Sequence, residues 1–292
     1  MVGFDVVASA LTTGLLLGGV LALTALGLSL VLGVLRLVDL AHGEFVVLGA
    51  YAAFFLLTFT GIDPLAGLPL IGLALAVLAV PVYRLLLEPL MSRGAEAPMM
   101  TTFGVSVALQ NVFLLAFGAD TRSIETSYSS ASLSLGPVTV PRVYLAGFLI
   151  AAVLTGLLHV LLARSAFGRE LRASAEDPDA AAVVGVPVAR VRLVTFALGA
   201  ACAGIAGTLM GLSFSFTPTS GAAYLLNSFA VIVLGGLGSV PGTFMAGVLI
   251  GVLQAAGGVL LGDGYRDLVA LALFLAVLAL RPAGLLTRRA AR

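Results

Sequence analysis

The sequence is dominated by long apolar stretches that follow one another with only short polar segments between them. About 20 apolar residues, wound as a helix, cross the hydrocarbon core of a bilayer, and helices are the usual way to cross it. Of the 292 residues, 60% are hydrophobic and 10% are charged, whereas soluble domains carry roughly 25% charged residues. We therefore expect an all-α, polytopic transmembrane helical bundle that forms a single domain over residues 1–292.

The apolar stretches predict eight or nine spans, because the seventh stretch is too short to be secure. The first stretch, as a helix, would be about 42 Å long, which exceeds a hydrocarbon core of about 30 Å. This span must therefore either tilt strongly or break, and broken helices are one of these two alternatives. The predicted spans cover residues 8–35, 43–60, 65–83, 98–117, 143–163, 193–213, 225–238, 241–261 and 266–281.

Arginine residues fall in three clusters that indicate the orientation of the chain. Positive residues accumulate on the cytoplasmic side of membrane spans. Placing all three clusters there requires an even number of crossings between them, and the predicted spans provide two and then four. Nine spans then put the amino terminus outside and the carboxyl terminus in the cytoplasm. The clusters are Arg84 and Arg93; Arg164, Arg169, Arg172, Arg190 and Arg192; and Arg281, Arg288, Arg289 and Arg292.

The second cluster flanks a cytoplasmic loop, residues 164–192, that carries a short helix signal. Asp177 can cap the free N–H groups, Pro178 suits the first helical position, and Gly185 can end the helix in a left-handed conformation. The helix, Pro178 to Val184, is small and apolar although the loop faces water, and two turns are not stable in isolation. Either the chain's own spans or a partner protein must therefore pack on it.

Ionisable residues gather at the end of the first span, where Asp39, His42, Gly43 and Glu44 interrupt the apolar sequence. Such groups are costly in a membrane and usually face a cavity or a partner. Two alternatives remain open: a turn at the cytoplasmic surface, or a broken helix that lines a transport path. The ligand types would also suit a metal ion, but the spacing matches no established pattern, so no metal is expected.

A second interruption, at residues 234–242, is rich in glycine. Such turns at helix junctions are mostly structural; the alternative is a second broken element opposed to the first across the transport path. The candidate path residues here are Gly235, Gly236 and Gly238. Close helix packing is also expected at three GxxxG patterns, which are Gly14 to Gly18, Gly207 to Gly211 and Gly247 to Gly251.

Several strings resemble the permease subunits of bacterial branched-chain amino acid ABC importers. GRELRASAEDPDAAAVVGV and TFALGAACAGIAGTLMG are similar to the family's cytoplasmic loop and following helix, VLGGLGSVPGTFMAGVLIG to its glycine-rich element, and YRDLVALALFLAVLALRPAGLL to its last span. LALTALGLSLVLGVLRLVDLAHGEFVVLGAYAA resembles its first helices, where the family commonly has Asn at the position of Asp39. The strings occur in order over nearly the whole chain, and residues 118–142 are least alike.

The resemblance implies a non-enzymatic permease that carries branched-chain or other aliphatic amino acids across the bacterial inner membrane. The implied partners are a second homologous permease, two cytoplasmic ATPases and an extracytoplasmic solute-binding protein; no cofactor and no nucleic acid is expected. The chain has no GxxxxGK[ST] string and no Lys, so ATP hydrolysis falls to a partner. The implied coupling residues, which would enter an ATPase groove, are Gly168, Arg169, Arg172, Glu176, Asp177, Pro178, Ala181, Val184 and Gly185.

Other functions remain open at this point. Related permeases carry small polar solutes such as urea or amides, so the sequence does not decide the substrate. A self-sufficient secondary transporter or channel fits the composition and the number of spans equally well, but it has no need of an apolar docking helix. An intramembrane enzyme using His42 with Asp39 or Glu44 has no accompanying nucleophile or metal motif.

Overall fold

The computed structural model describes residues 4–94, 96–129, 131–135 and 138–280, which form a bundle of helices. Seven helices in this described part are long and apolar enough to cross a membrane, and Gly221–Gly235 and Leu268–Val277 are shorter apolar helices. The chain is thus an all-α polytopic membrane protein. Its elements are α1 Phe4–Leu35, α2 His42–Thr60, α3 Leu68–Val82, a π-helical turn Tyr83–Leu87, a 3-10 turn Glu88–Leu90, α4 Glu96–Phe117, β1 Ser132–Leu135, β2 Val138–Pro141, α5 Arg142–Arg164, α6 Ala166–Glu176, α7 Pro178–Val183, α8 Val188–Ser213, α9 Gly221–Gly235, α10 Val240–Leu261, a 3-10 turn Asp263–Tyr265 and α11 Arg266–Leu280.

Each predicted span corresponds to a helix, with two informative differences. The first span continues unbroken as α1 for 32 residues, so the interruption follows this helix and does not divide it. The seventh span, predicted at residues 225–238, is α9, which starts earlier and ends at Gly235. The number of spans, eight or nine, stays a prediction. The third arginine cluster, at residues 281–292, lies outside the described residues.

Helix α1 lies at the centre of the bundle and packs on α10, α8, α5 and α9. Its contact with α10 is made through glycine. A Cβ atom added at Gly18 would lie 2.6 Å from Cα of Val248 and 2.7 Å from the carbonyl oxygen of Gly247, so the two backbones touch. Gly207 of α8 lies in the same way against the backbone of Val46 in α2. The prediction that the GxxxG patterns mark close helix contacts is therefore confirmed.

One end of the bundle carries α6 and α7, and we call it the α6–α7 end. The segment between α3 and α4 reaches the same end, because Arg84 and Glu88 line one groove together with Arg190. Two of the three arginine clusters are therefore neighbours in space, as the predicted topology requires.

The opposite end, which we call the hairpin end, carries an antiparallel hairpin of β1 and β2 that the sequence did not predict. The backbone of Arg122 pairs there with that of Phe216. The Tyr128 hydroxyl donates a 3.0 Å hydrogen bond to the Asp63 carboxylate. Burial and this hydrogen bond raise the pKa of Tyr128 to about 12. These contacts join the loops that follow α2, α4 and α8 into one layer over the ends of the helices.

Candidate functional site

After Leu35 the chain stops being helical and turns back into the bundle. Arg36 has a left-handed backbone with φ of +51°, and α2 begins only at His42. The ring Nε2 of His42 donates a 2.8 Å hydrogen bond to the carbonyl of Thr24. Thr24 precedes the end of α1 by eleven residues, or about 16 Å of helix. Helix α2 therefore starts well inside the bundle.

Residues 36–41, which we call the re-entrant segment, are largely buried. Leu37 is 2% exposed, and Asp39 and Ala41 are each 1% exposed. Asp39, His42, Gly43 and Glu44 are all buried as well. The segment is therefore largely buried and is not a turn exposed at the surface. Its place on a transport path stays a prediction.

Non-helical backbone at membrane depth needs protein partners, because lipid offers it none. Side chains supply them here. The Asp39 carboxylate accepts a 3.0 Å hydrogen bond from the N–H of Ala41. The hydroxyl of Thr102, in α4, accepts from the N–H of Leu40 at 3.2 Å and lies 3.3 Å from the carbonyl oxygen of Val38. The segment is thus held by its own carboxylate and by α4.

Helix α9 also begins inside the bundle. Phe216 lies at the hairpin end, and residues 217–220 form a turn that brings Gly221 against Gly43 and Glu44. A Cβ atom added at Gly221 would lie 2.6 Å from the carboxyl carbon of Glu44. The Glu44 carboxylate therefore stands at the amino end of α9, where the helix dipole favours negative charge.

The Glu44 side chain is 3% exposed and only partly hydrogen-bonded. Its Oε1 accepts a long hydrogen bond of 3.5 Å from the Ser106 hydroxyl of α4, and its Oε2 has no hydrogen-bond partner among the residues that the structure describes. Asp39, His42 and Glu44 thus face three separate partners. In the described ranges of the chain, no three His, Cys, Asp or Glu side chains converge as metal ligands would.

The glycine-rich interruption is a tight junction between α9 and α10. Gly236 and Gly238 have φ of +88° and +76°, which side chains rarely tolerate. A Cβ atom added at Gly33, near the end of α1, would lie 2.6 Å from Cα of Gly238, and one at Gly235 would lie 2.6 Å from the carbonyl oxygen of Gly242. Backbone conformation and close approach account for these glycines, and they place the turn beside the end of α1.

The loop between α5 and α8 forms two helices at a corner. The Asp177 carboxylate accepts hydrogen bonds of 3.0 Å from the N–H groups of Asp179 and Ala180, so it caps α7 as predicted. Gly185 follows α7 with φ of +90°. Helix α6 precedes this corner and was not predicted; its start is capped by Ser165, whose hydroxyl accepts from the N–H of Gly168 at 2.9 Å.

The outer face of this corner is apolar at its tip. Val183 and Val184 are 87% and 78% exposed, whereas Ala181 is 4% exposed and faces the chain's own helices. Gly168 is also buried, against the carbonyl of Leu162. Gly168 and Ala181 therefore hold the corner together from inside. The other predicted coupling residues lie on its surface, with Pro178 half-buried: Arg169, Arg172, Glu176, Asp177, Val184 and Gly185.

Thr102 and Ser106 were not singled out from the sequence, and the long-range contact of Arg36 was not predicted. Thr102 and Ser106 are one helical turn apart on α4, and a polar pair at this spacing inside an apolar span was the available signal. Arg36 donates from Nη2 to the carbonyl oxygens of Ala175 at 2.9 Å and Glu176 at 3.2 Å, a contact across more than a hundred residues that no local pattern indicates.

Comparisons with known proteins agree over nearly the whole chain. The family described as branched-chain amino acid transport system, permease component, matches residues 10–278. The high-affinity branched-chain amino acid transport system permease protein BraD of Pseudomonas aeruginosa is 31% identical over 291 residues, which cover 95% of each chain. The corresponding protein LivH of Escherichia coli K12 is 30% identical over 292 residues, covering 94% of each.

A solved structure, PsaBC from Streptococcus pneumoniae in complex with Fab, aligns with a TM-score of 0.52 at 13% identity and covers 94% of this chain and 92% of the other. That likeness shows a shared fold. The family match and the two relatives show more: the chain belongs to the permease family of branched-chain amino acid transport systems.

Proposed function

We propose that this chain is one of two pore-forming permeases of an ATP-driven importer in the bacterial inner membrane, and that the importer carries branched-chain or other aliphatic amino acids. Its partners are a second homologous permease, two cytoplasmic ATPases and an extracytoplasmic solute-binding protein. The family membership supports the substrate class. The hydrolysis of ATP belongs to the partner ATPases.

The observation that carries this proposal is the exposed apolar tip of α7. Val183 and Val184 are almost fully exposed at the end of a short helix that a carboxylate caps. Exposed apolar residues on a structured projection are typical of a docking site for another protein. The charged side chains of Arg169 and Glu176 lie on the surface nearby and suit the polar rim of such an interface.

The α6–α7 end is the cytoplasmic end in this proposal. Support comes from the two arginine clusters that meet there, because positive residues favour the cytoplasmic side. The hairpin end then faces outward and receives the solute-binding protein, and the amino terminus lies outside.

The transport path in this proposal runs along two interruptions of the helices, one before α2 and the other at the glycine junction between α9 and α10. Helices α2 and α9 both start inside the bundle, and discontinuous helices of this kind commonly border the sites of transporters. The first interrupted element contributes Asp39, His42, Gly43 and Glu44, and the glycine junction contributes its flexibility near the cytoplasmic mouth. The path residues assigned to that junction are Gly235, Gly236 and Gly238.

Docking is tested by placing a charge on the apolar tip. Val183→Asp or Val184→Asp should release the ATPases while the permease remains inserted, because a carboxylate is costly to bury in an apolar groove. Asp179→Asn, on the same short helix, is the matched control and should retain them. The measurement is co-purification of the ATPases with the tagged permease; wild-type recovery with both aspartate variants would contradict the docking assignment.

Transport is tested with the complete importer and its binding protein in vesicles. Labelled leucine, isoleucine and valine should accumulate only when ATP is supplied, and unlabelled leucine should compete. Accumulation of urea or amides in place of these amino acids would assign another substrate. Uptake by the permease in vesicles without the ATPases would instead identify a self-sufficient transporter.

A further inference from the structure

Arg36 joins the coupling corner to the re-entrant segment. Its guanidinium donates to the carbonyl oxygens of Ala175 and Glu176, at 2.9 and 3.2 Å. These carbonyls belong to the last turn of α6, where backbone acceptors have no partner within the helix and the dipole favours a positive charge. Among the described residues, no other hydrogen bond joins α6 to the re-entrant segment.

The carbonyl oxygens that Arg36 contacts are held close to α7, the helix proposed to dock on the ATPase. The N–H of Asp177 closes the end of α6 on the carbonyl of Ala173 at 3.1 Å, and the Asp177 carboxylate caps α7. One residue therefore ends α6 and starts α7. A displacement of α7 moves the acceptors of Arg36 with it.

The arginine side of the contact leads into the candidate transport path. Arg36 is followed directly by the buried residues of the re-entrant segment, which reach α4 through the Thr102 hydroxyl. At its far end the segment reaches the His42 ring, which is bonded to the carbonyl of Thr24 in α1. Because the segment has no helical ladder of its own, its course depends on these few contacts.

We propose that Arg36 is a positioning residue that transmits movement of α6 and α7 to the re-entrant segment, so that ATPase closure alters the transport path. This proposal rests on the function proposed above. Arginine suits the role because its guanidinium is always charged and weakly hydrated, and its Nη2 donates to both neighbouring carbonyls, whereas the ammonium of a lysine is a compact, strongly hydrated charge. The left-handed backbone at Arg36, unusual for a residue with a side chain, directs the chain inward at this point.

The main test compares ATP hydrolysis and amino acid uptake in vesicles containing the complete importer and its binding protein. Arg36→Ala and Arg36→Gly should retain the ATPases and hydrolyse ATP, but the uptake per ATP should fall by about fivefold or more, the lower range of coupling between two sites. The glycine variant accepts the left-handed backbone without strain, so a loss that both variants share is not a folding defect. Arg36→Lys should restore part of the ratio.

The control variant is Arg93→Ala, because Arg93 is an exposed arginine outside the coupling loop and should leave the ratio unchanged. A wild-type ratio in both Arg36→Ala and Arg36→Gly overturns the proposal. A parallel fall of uptake and hydrolysis, or a loss of the ATPases from the complex, also overturns it, because each would assign Arg36 to assembly or to docking.

A second measurement needs no amino acid substrate. Amide hydrogen exchange of residues 36–41 should change when a non-hydrolysable ATP analogue is added to the wild-type complex, and this change should be absent in Arg36→Ala. Exchange that responds equally in both proteins refutes the transmission. If the wild-type importer carries none of the proposed amino acids but the exchange response depends on Arg36, the substrate assignment fails and the role of Arg36 stands.

Discussion

Replacing Gly18 by Ala tests whether the contact between α1 and α10 organises the bundle. The atoms that the new Cβ would meet are Cα of Val248 at 2.6 Å, the carbonyl oxygen of Gly247 at 2.7 Å and that of Val248 at 2.9 Å. All three belong to the backbone, so no side chain can rotate away. Because non-bonded carbon atoms prefer about 3.5–4.0 Å, the two helices must separate by roughly 1 Å along this contact.

The cost of this separation can be estimated against matched controls. Forcing one extra carbon into a packed interior costs about 1–3 kcal/mol, whereas Gly→Ala in an open helical position gains up to about 1 kcal/mol. Gly104 in α4 and Gly156 in α5 have nothing within 4 Å of an added Cβ. Gly18→Ala should therefore be less stable than Gly104→Ala or Gly156→Ala by about 2 kcal/mol, or about 4–8 °C in unfolding midpoint at the usual 2–4 °C per kcal/mol for chains of this order of size.

Cys202 provides the assay. It is the chain's one cysteine, it lies in α8 and it is 5% exposed, so a thiol reagent labels it only after unfolding. Labelling of the permease band, measured against temperature in the purified complex, gives the midpoint of each variant. Midpoints of Gly18→Ala and the two controls that coincide within about 1 °C would refute the claim that backbone contact at this glycine sets the packing.

Three other tests address separate parts of the structure. Asp177→Ala removes the cap of α7, at a cost of about 1 kcal/mol, and should lower ATPase co-purification while Asp177→Asn retains it; equal recovery would contradict the capping role. His42→Ala removes the hydrogen bond to the Thr24 carbonyl and should slow amino acid uptake in vesicles severalfold while the ATPases stay bound. Unchanged uptake would show that His42 is not part of the transport path. In a cysteine-free background, an impermeant thiol reagent outside the cell should spare Ala182→Cys and label Ser127→Cys, two exposed sites; the reverse pattern would invert the orientation.

The spans could be predicted from the sequence because they depend on length and apolarity alone. Helix α1 is predominantly apolar and carries no charged residue after Asp5, and its end at Leu35 coincides with the predicted end of the first span. The cap at Asp177 was equally predictable, since the capping residue, the following proline and the closing glycine are all local. Helix ends and caps that depend only on neighbouring residues can therefore be predicted from the sequence.

The course of the re-entrant segment could not be chosen from the sequence. Asp39 and His42 suit a surface turn and a buried break equally well as residue types, and the decision depends on partners far along the chain. Thr102 lies 62 residues beyond Leu40 in sequence, and Ala175 lies 139 residues beyond Arg36. Only the assembled bundle brings them together.

The sequence predicted that Ala181 and Val184 would both face an ATPase, but only one of them is exposed. Ala181 and Val184 belong to the same short apolar run, yet one faces inward and the other outward. A run of small apolar residues has no polar side to mark its orientation, so its outer face is set by how α6 packs on α5 and α8. Helix α6 itself was missed because its charged residues resembled a solvated loop.

The short helix α9 has a consequence for how the chain is made. Its 15 residues span about 22 Å as a helix, less than the roughly 30 Å of hydrocarbon, and the turn before it would expose polar backbone to lipid. Helix α9 is therefore a poor candidate to leave the translocon by itself. It gains its place from contacts with α1 and α2, which are synthesised first, and with α10, which follows. We therefore expect the early helices to serve as a template during biosynthesis, on which roughly the last quarter of the chain, from α9 onward, completes its insertion.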